Sequence, residues 1–196
     1  EKNKEGNYRI GYRLIETTSY YINNLELLTE ARPFIAEINT YLRLVSYLGV
    51  LDGDQVVYAE KINAPTASRL YSARRTRVSA YCSSLGKCIL ANYSNNELED
   101  IMKDCSFITP NTISDIQQLR AELARVRKQG WAMDDEEYEM GQRCIGAPIY
   151  DYKGDIVAAV AASGEKHVLT DDRIEEVAQY LVKKAFEISK CLGYVE

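Results

Sequence analysis

Twice in this chain, two strand-like apolar runs are separated by nothing longer than a tight polar turn. The segment RLVSYLGVLDGDQVVYAEKI carries apolar residues on both sides of DGDQ (52–55), and CIGAPIY meets DIVAAVAAS across DYKG (151–154). Strands joined by so short a turn must be antiparallel neighbours, because a parallel pair needs a long crossover. A further strand is expected around SRLYSA (68–73). Apolar residues at helical spacing surround the hairpins: Leu27, Leu28, Ala31, Ile35 and Ile38 before the first; Leu119, Leu123 and Val126 between them; Ile174, Val177, Ala178, Leu181, Ala185, Ile188 and Leu192 after the second. The order is helices, meander, helices, hairpin, helix. It predicts an α+β fold, an antiparallel sheet flanked by helices, rather than a doubly wound βαβ fold.

Local signals set the boundaries of these elements. NYRIGYRL (7–14) reads as a strand end and glycine turn leading into the first helix, and Pro33 predicts a bend or restart within it. Ser83 or Ser84 can cap a helix that buries Leu85, Ile89 and Leu90. Ser94 with Glu97, and Ser114 with Gln117, have capping-box spacing. Gly130 ends the helix before it, and Thr170 caps the last helix, whose first turn holds Asp171 and Asp172.

Composition excludes several classes of function. The five cysteines, at 82, 88, 105, 144 and 191, form no CxxC pair, which argues against a disulfide framework or a zinc ribbon. With His167 alone, a metal centre or a histidine-based triad has few possible members, so neither a metal nor a cofactor is expected. A net charge of −5 gives no general attraction for nucleic acid. No apolar run is long enough to span a bilayer and no signal peptide is visible, so a cytoplasmic location is expected.

Three stretches could carry chemistry. AYCSSLGKCILANY (80–93) has the GK of a phosphate-binding loop without the upstream glycines or the following Ser or Thr. What remains is a helix start whose unpaired N–H groups and positive dipole end suit an anion, or serines that simply cap a core helix. WAMDDEEYEMGQRCIGAP (131–148) holds Asp134, Asp135, Glu136, Glu137 and Glu139; the run reads as a solvated loop, and its spacing is not that of an EF-hand. Cys144 opens an apolar strand. If DYKG is a four-residue loop, Tyr150 faces Asp155 and Cys144 faces Ala161, with Ser163 diagonal to it on the same face.

The motifs SSLGKCILA, ITPNTISDIQQLRAELARVRKQGWAMDDEEYEMGQRCIGAPIYDYKGDIVAAVAASG and LTDDRIEEVAQYLVKKAFEIS, in that order, resemble the effector-binding domain of IclR-family bacterial transcription regulators. The resemblance implies a GAF-like sensor domain at 24–196, preceded at 1–23 by the end of a wing strand and a linker helix. Nothing in the sequence resembles that family's DNA-reading helices, so operator DNA is expected to be bound only through a separate N-terminal domain. It further implies a small-molecule effector, an organic, keto or sugar acid, and assembly into a homodimer or homotetramer. Backbone N–H groups at Ser84 and Leu85 would donate to the effector, with Asp134, Cys144 and Ser163 on the polar side of its pocket and Leu70 and Val78 on the apolar side. Ala161 stands where some members have a pocket serine, and Ser84 where some have glycine, which points away from the smallest keto acids.

The expected function is thus the sensing and oligomerisation domain of a regulator, a repressor of a catabolic operon, and not an enzyme. Two rivals are a thiol-based redox enzyme or sensor using Cys144, and a dimerisation module without a ligand. No CxxC or Cys–His pair supplies the first with a resolving partner. A carboxylate, a thiol and a helix start would be superfluous in the second.

Overall fold

The computed structural model describes residues 12–64 and 77–195, with side chains from residue 27 onward. The elements in order are α1 (Tyr12–Leu42), β1 (Val45–Asp52), β2 (Gln55–Ile62), β3 (Arg77–Ser79), a 3-10 turn (Ala80–Cys82), α2 (Ser84–Leu90), α3 (Asn95–Met102), α4 (Ile116–Gln129), β4 (Ala132–Asp135), β5 (Gln142–Tyr150), β6 (Ile156–Glu165), a second 3-10 turn (Asp171–Arg173) and α5 (Ile174–Cys191). The strands make one six-stranded sheet in the order β3-β2-β1-β6-β5-β4, antiparallel throughout. Both hairpins therefore form as the turns require, and the architecture is the expected α+β. The expected strand end at 7–10 and the strand at 68–73 lie outside the described residues.

The two-residue period of the strands divides the core in two. Ile145, Ala147, Ile149, Ala158, Val160 and Ala162 face α1 and α5. Their alternates, among them Ala132, Ala159 and Ala161, face the layer of α2, α3 and α4. Alanines and glycines on this second face leave room for the short helix α2 to lie close to the strands.

Several local expectations are corrected. Helix α1 runs through Pro33 with no restart; Pro33 and Thr29, whose carbonyl loses its partner, are both exposed, so water can satisfy that oxygen. Helix α4 is capped by Asp115, not Ser114: the carboxylate accepts from the N–H groups of Gln117 and Gln118 at 2.9 Å each. Thr170 makes no side-chain cap, because the 3-10 turn at 171–173 separates it from α5. The Ser94/Glu97 capping box and the left-handed Gly130 at the end of α4 form as read. In the second hairpin Cys144 lies directly opposite Ser163, two residues from the expected register. One residue of the difference arises at the turn, where Tyr150 pairs with Ile156 rather than Asp155, and the other at an irregularity between Ile149 and Tyr150; since the slip is even, both side chains keep the same face.

Candidate functional site

Ser83 rather than Ser84 is the N-cap of α2; its hydroxyl accepts from the Gly86 N–H at 3.2 Å, and its carbonyl accepts from Lys87 N–H at 2.9 Å. Ser84 and Leu85 are the first helical residues, whose N–H groups a helix leaves without an intrahelical partner. Two glycines bring this helix start down onto the sheet. A β-carbon on Gly86 would come within 2.1 Å of the Ala80 carbonyl oxygen, and one on Gly146 of β5 within 3.1 Å of the Ser84 carbonyl. The Ser84 hydroxyl consequently reaches Cys144, donating to its Sγ at 3.0 Å. The glycine of the GK pair thus serves close packing.

Asp134, Cys144 and Ser163 lie in one row across β4, β5 and β6, each opposite the next. The sequence-expected polar group is therefore assembled by strand pairing, with Ser84 above it. The Ser163 hydroxyl donates to the Arg143 carbonyl at 3.0 Å, which leaves its lone pairs as the capacity it can offer. Val78 is buried opposite Val56 on the same side of the sheet. Leu70 lies outside the described residues.

The acidic run is not a solvated loop. Asp134, Glu136 and Glu137 are buried, each with its own partners. Asp134 Oδ1 accepts the N–H of Glu137 at 2.8 Å and of Tyr138 at 3.3 Å. Burial and the neighbouring Glu137 carboxylate nevertheless push Asp134 up to about 7, against the opposing pull of Lys87 and of those two N–H groups. Glu136 bonds Lys166 and accepts from Gly141 N–H at 2.9 Å, while Asp135 holds Arg143 at 2.7 Å. Thr109 and Thr112 clasp the same loop, donating to the carbonyls of Glu136 and Glu137 at 2.6 and 2.7 Å.

Lys87 is the residue whose role the sequence concealed. It is fully buried, and its Nζ meets Glu137 Oε1 at 2.5 Å, Glu122 Oε1 at 3.5 Å and the Met133 carbonyl. A charge so placed needs these partners, and it joins α2, α4 and the end of β4 in one network. The partners come from distant segments, so no local pattern around Gly86 and Lys87 could have shown them.

The buried thiols Cys82 and Cys144 are poor nucleophiles. Burial pushes Cys144 up to about 12, against the Ser84 hydrogen bond, and pushes Cys82 up to about 12 as well. All five cysteines are free. At neutral pH a thiol of pKa about 12 is thiolate in roughly one molecule in 100,000, too few for ready redox exchange. Among the described residues, no group of three or more His, Cys, Asp or Glu side chains is placed to hold a metal ion. What the row can do is bind: a carboxylate acceptor, a hydroxyl, a soft sulfur and a helix start converge on one side of the sheet.

Comparison with known proteins adds a lineage to this geometry. The family described as bacterial transcriptional regulator IclR C-terminal matches residues 19–190. The HTH-type transcriptional regulator XynR of Escherichia coli K12 is 28% identical over 193 residues, covering 97% of this chain and 77% of that protein. The HTH-type transcriptional repressor AllR of Salmonella typhi is 30% identical over 190 residues, covering 96% of this chain and 70% of that protein. The crystal structure of the Thermotoga maritima IclR superposes with a TM-score of 0.80 at 35% identity, covering 98% of this chain and 79% of that one.

Proposed function

The chain belongs to the IclR family of bacterial transcriptional regulators, matching its C-terminal domain, and from that premise we propose that it senses a small organic acid, with residues 24–196 as the sensing domain. Its relatives are regulators, not enzymes. The observation that carries the reading is the row Asp134–Cys144–Ser163 beneath the start of α2, with Ser84 bonded to Cys144. The N–H groups of Ser84 and Leu85 receive the carboxylate of the acid. A hydroxyl or keto oxygen next to that carboxylate turns toward Asp134, Cys144 and Ser163. Ionised Asp134 repels the carboxylate and accepts from a hydroxyl, so the ligand has one preferred orientation. Val78, with Leu70, supplies apolar wall.

In this reading the domain works in a cytoplasmic repressor of a catabolic operon, a role supported by the repressor AllR among the relatives. It pairs with copies of itself as a dimer or tetramer, and operator DNA is read by a domain outside the matched residues 19–190. A thiol-based redox role is disfavoured by the raised Cys82 and Cys144.

The test is calorimetric titration of keto, sugar and aromatic acids into the wild-type chain and Asp134→Asn at pH 8. Asparagine keeps an oxygen for the two loop N–H groups and removes the charge. Losing a charge-assisted hydrogen bond costs about 1.5–3 kcal/mol, so a hydroxylated acid should bind about ten- to a hundredfold more weakly. Equal affinities would remove Asp134 from the site.

A further inference from the structure

The charges around Lys87 do not cancel. Its Nζ meets Glu137 Oε1 at 2.5 Å and Glu122 Oε1 at 3.5 Å, and the other oxygen of Glu122 meets Arg125 at 2.6 Å. Asp134 belongs to the same group: its Oδ1 accepts the Glu137 N–H, and Lys87 also donates to the carbonyl of Met133, the residue before it. Two cations therefore face three carboxylates, and one negative charge is left over. Arg125 is exposed and Glu122 lies between both cations, so the excess does not fall there. It falls on Asp134 and Glu137, both buried.

The geometry of that pair shows where a proton removes the excess. Asp134 is held by two neutral N–H groups, from Glu137 and Tyr138, and Glu137 offers Oε1 to Lys87. Glu137 Oε2 is sealed from solvent with no hydrogen-bond partner; among the described residues, Arg120 Nε is the one other side-chain atom so placed. A fully ionised pair would leave an unneutralised charge against an oxygen without a donor, which a protein interior does not tolerate. One proton held between the two carboxyls removes the excess. Burial and the neighbouring Glu137 raise Asp134 to about 7, and burial raises Glu137 as well. The other titratable groups that face Asp134 are Cys144 across the strand pair, Cys82 in the turn before α2 and Tyr58 of β2. Burial raises all three, so they stay uncharged near neutral pH and the proton belongs to the carboxyl pair.

We propose that Asp134 and Glu137 hold one shared proton in the ligand-free domain and that a hydroxylated acid expels it on binding, so that the domain reads acid and pH together. The inference rests on the sensing role proposed above and concerns its regulation. A ligand hydroxyl donates more strongly to a carboxylate than to a carboxylic acid, so binding favours the ionised pair. The proton passes to the solvent, and no bond besides that carboxyl O–H breaks. Binding is therefore strongest above neutral pH, where the pair is already ionised, and weakens as pH falls and the proton must first be removed. Lys87 pulls both carboxyls toward ionisation, and Glu137 pushes Asp134 toward protonation. Removing the Glu137 charge thus lets Asp134 ionise at lower pH.

The experiment titrates lactate, glycerate, mandelate and gluconate, all ionised from pH 6 to 8, into the wild-type chain, Glu137→Gln and Asp134→Asn. The tightest of them should bind wild type about tenfold more weakly at pH 6 than at pH 8, since about a tenth of the pair is ionised at the lower value. At pH 7 its heat of binding in phosphate and in Tris should differ by the ionisation heat of about half a proton. Glu137→Gln should gain affinity at pH 6 and shrink the ratio to a few-fold, whereas Asp134→Asn should bind weakly and alike at both values. A merely structural role for Glu137 would lower affinity equally at pH 6 and pH 8. The proton link is overturned, and the sensing role stands, if none of the four acids binds while a keto or aromatic acid does, if wild type binds equally at both pH values, if the heat is the same in both buffers, or if Glu137→Gln keeps the wild-type ratio. If no acid of any class binds, the sensing role itself is overturned, and this inference with it. The two-buffer measurement needs wild type alone, so it decides the matter even where Glu137→Gln does not fold.

Discussion

One oxygen of Asp134 is bound to the loop N–H groups of Glu137 and Tyr138, and the carboxyl stands near its midpoint of titration at neutral pH. A folded-state value of about 7 against the ordinary 3.8 means that the fold prefers the protonated acid. Its contribution to stability is complete below pH 4 and is lost as pH rises through 7, a span worth at most roughly 4 kcal/mol. Asp134→Asn mimics the protonated form at every pH. The melting temperature of wild type should therefore fall relative to Asp134→Asn between pH 4 and 7 and run parallel above; a constant difference across that range would contradict the burial argument. Lys87 makes the complementary case. Lys87→Met leaves Glu137, already raised by burial, without its counter-ion, and should destabilise the chain by about 3–5 kcal/mol at pH 8. Because Glu137 can then take up a proton, the loss should shrink at pH 5, and adding Glu137→Gln should recover much of it. Denaturant unfolding at the two pH values checks both statements. None of this was legible in the sequence: an acidic run and an isolated lysine look like solvated charge until strand pairing and helix packing bury them together.

Among the elements, α2 decides whether the row has a roof. Its approach depends on Gly86 and Gly146, where a β-carbon would strike the backbone of Ala80 or press on Ser84 and Leu85. Gly86→Ala should destabilise strongly, by several kcal/mol, since the obstacle is backbone that cannot turn aside. The milder Gly146→Ala should lift the helix start by a few tenths of an ångström and weaken acid binding while leaving the protein folded; thermal melts with and without ligand separate the two effects. Ser94→Ala, remote from the row, should cost about 1 kcal/mol through its capping box and leave binding unchanged. The sequence was most readable at this scale where one residue type meets one geometric need, as at Gly130 and Ser94. It was least readable where neighbours compete. Asp115 displaced Ser114 as the cap of α4 because its carboxylate reaches two N–H groups. The shift that sets Cys144 against Ser163 arises half from the closing pair of the hairpin, Tyr150 with Ile156, and half from a strand irregularity, neither of which a hydrophobic pattern announces.

For the whole molecule, two short turns were enough to fix an antiparallel sheet, and helical periodicity was enough to cover it. The division of labour between its faces emerged only from the fold: α1 and α5 close one side around a mainly apolar core, and α2, α3 and α4 close the other around the polar row. With a net charge of −5, the 196-residue chain should bind no duplex DNA sequence-specifically, even at low salt. It should sediment as a dimer or tetramer; monomer alone at high micromolar concentration would contradict the proposed assembly. The central claim, that an acid is held between the start of α2 and the row Asp134–Cys144–Ser163, is tested most directly by a crystal structure of the chain with the tightest-binding acid from the titrations. The predicted result is a carboxylate within hydrogen-bonding distance of the N–H groups of Ser84 and Leu85, with a ligand hydroxyl on Asp134. A ligand seated elsewhere on the molecule, or reversed with its carboxylate against Asp134, would contradict the account.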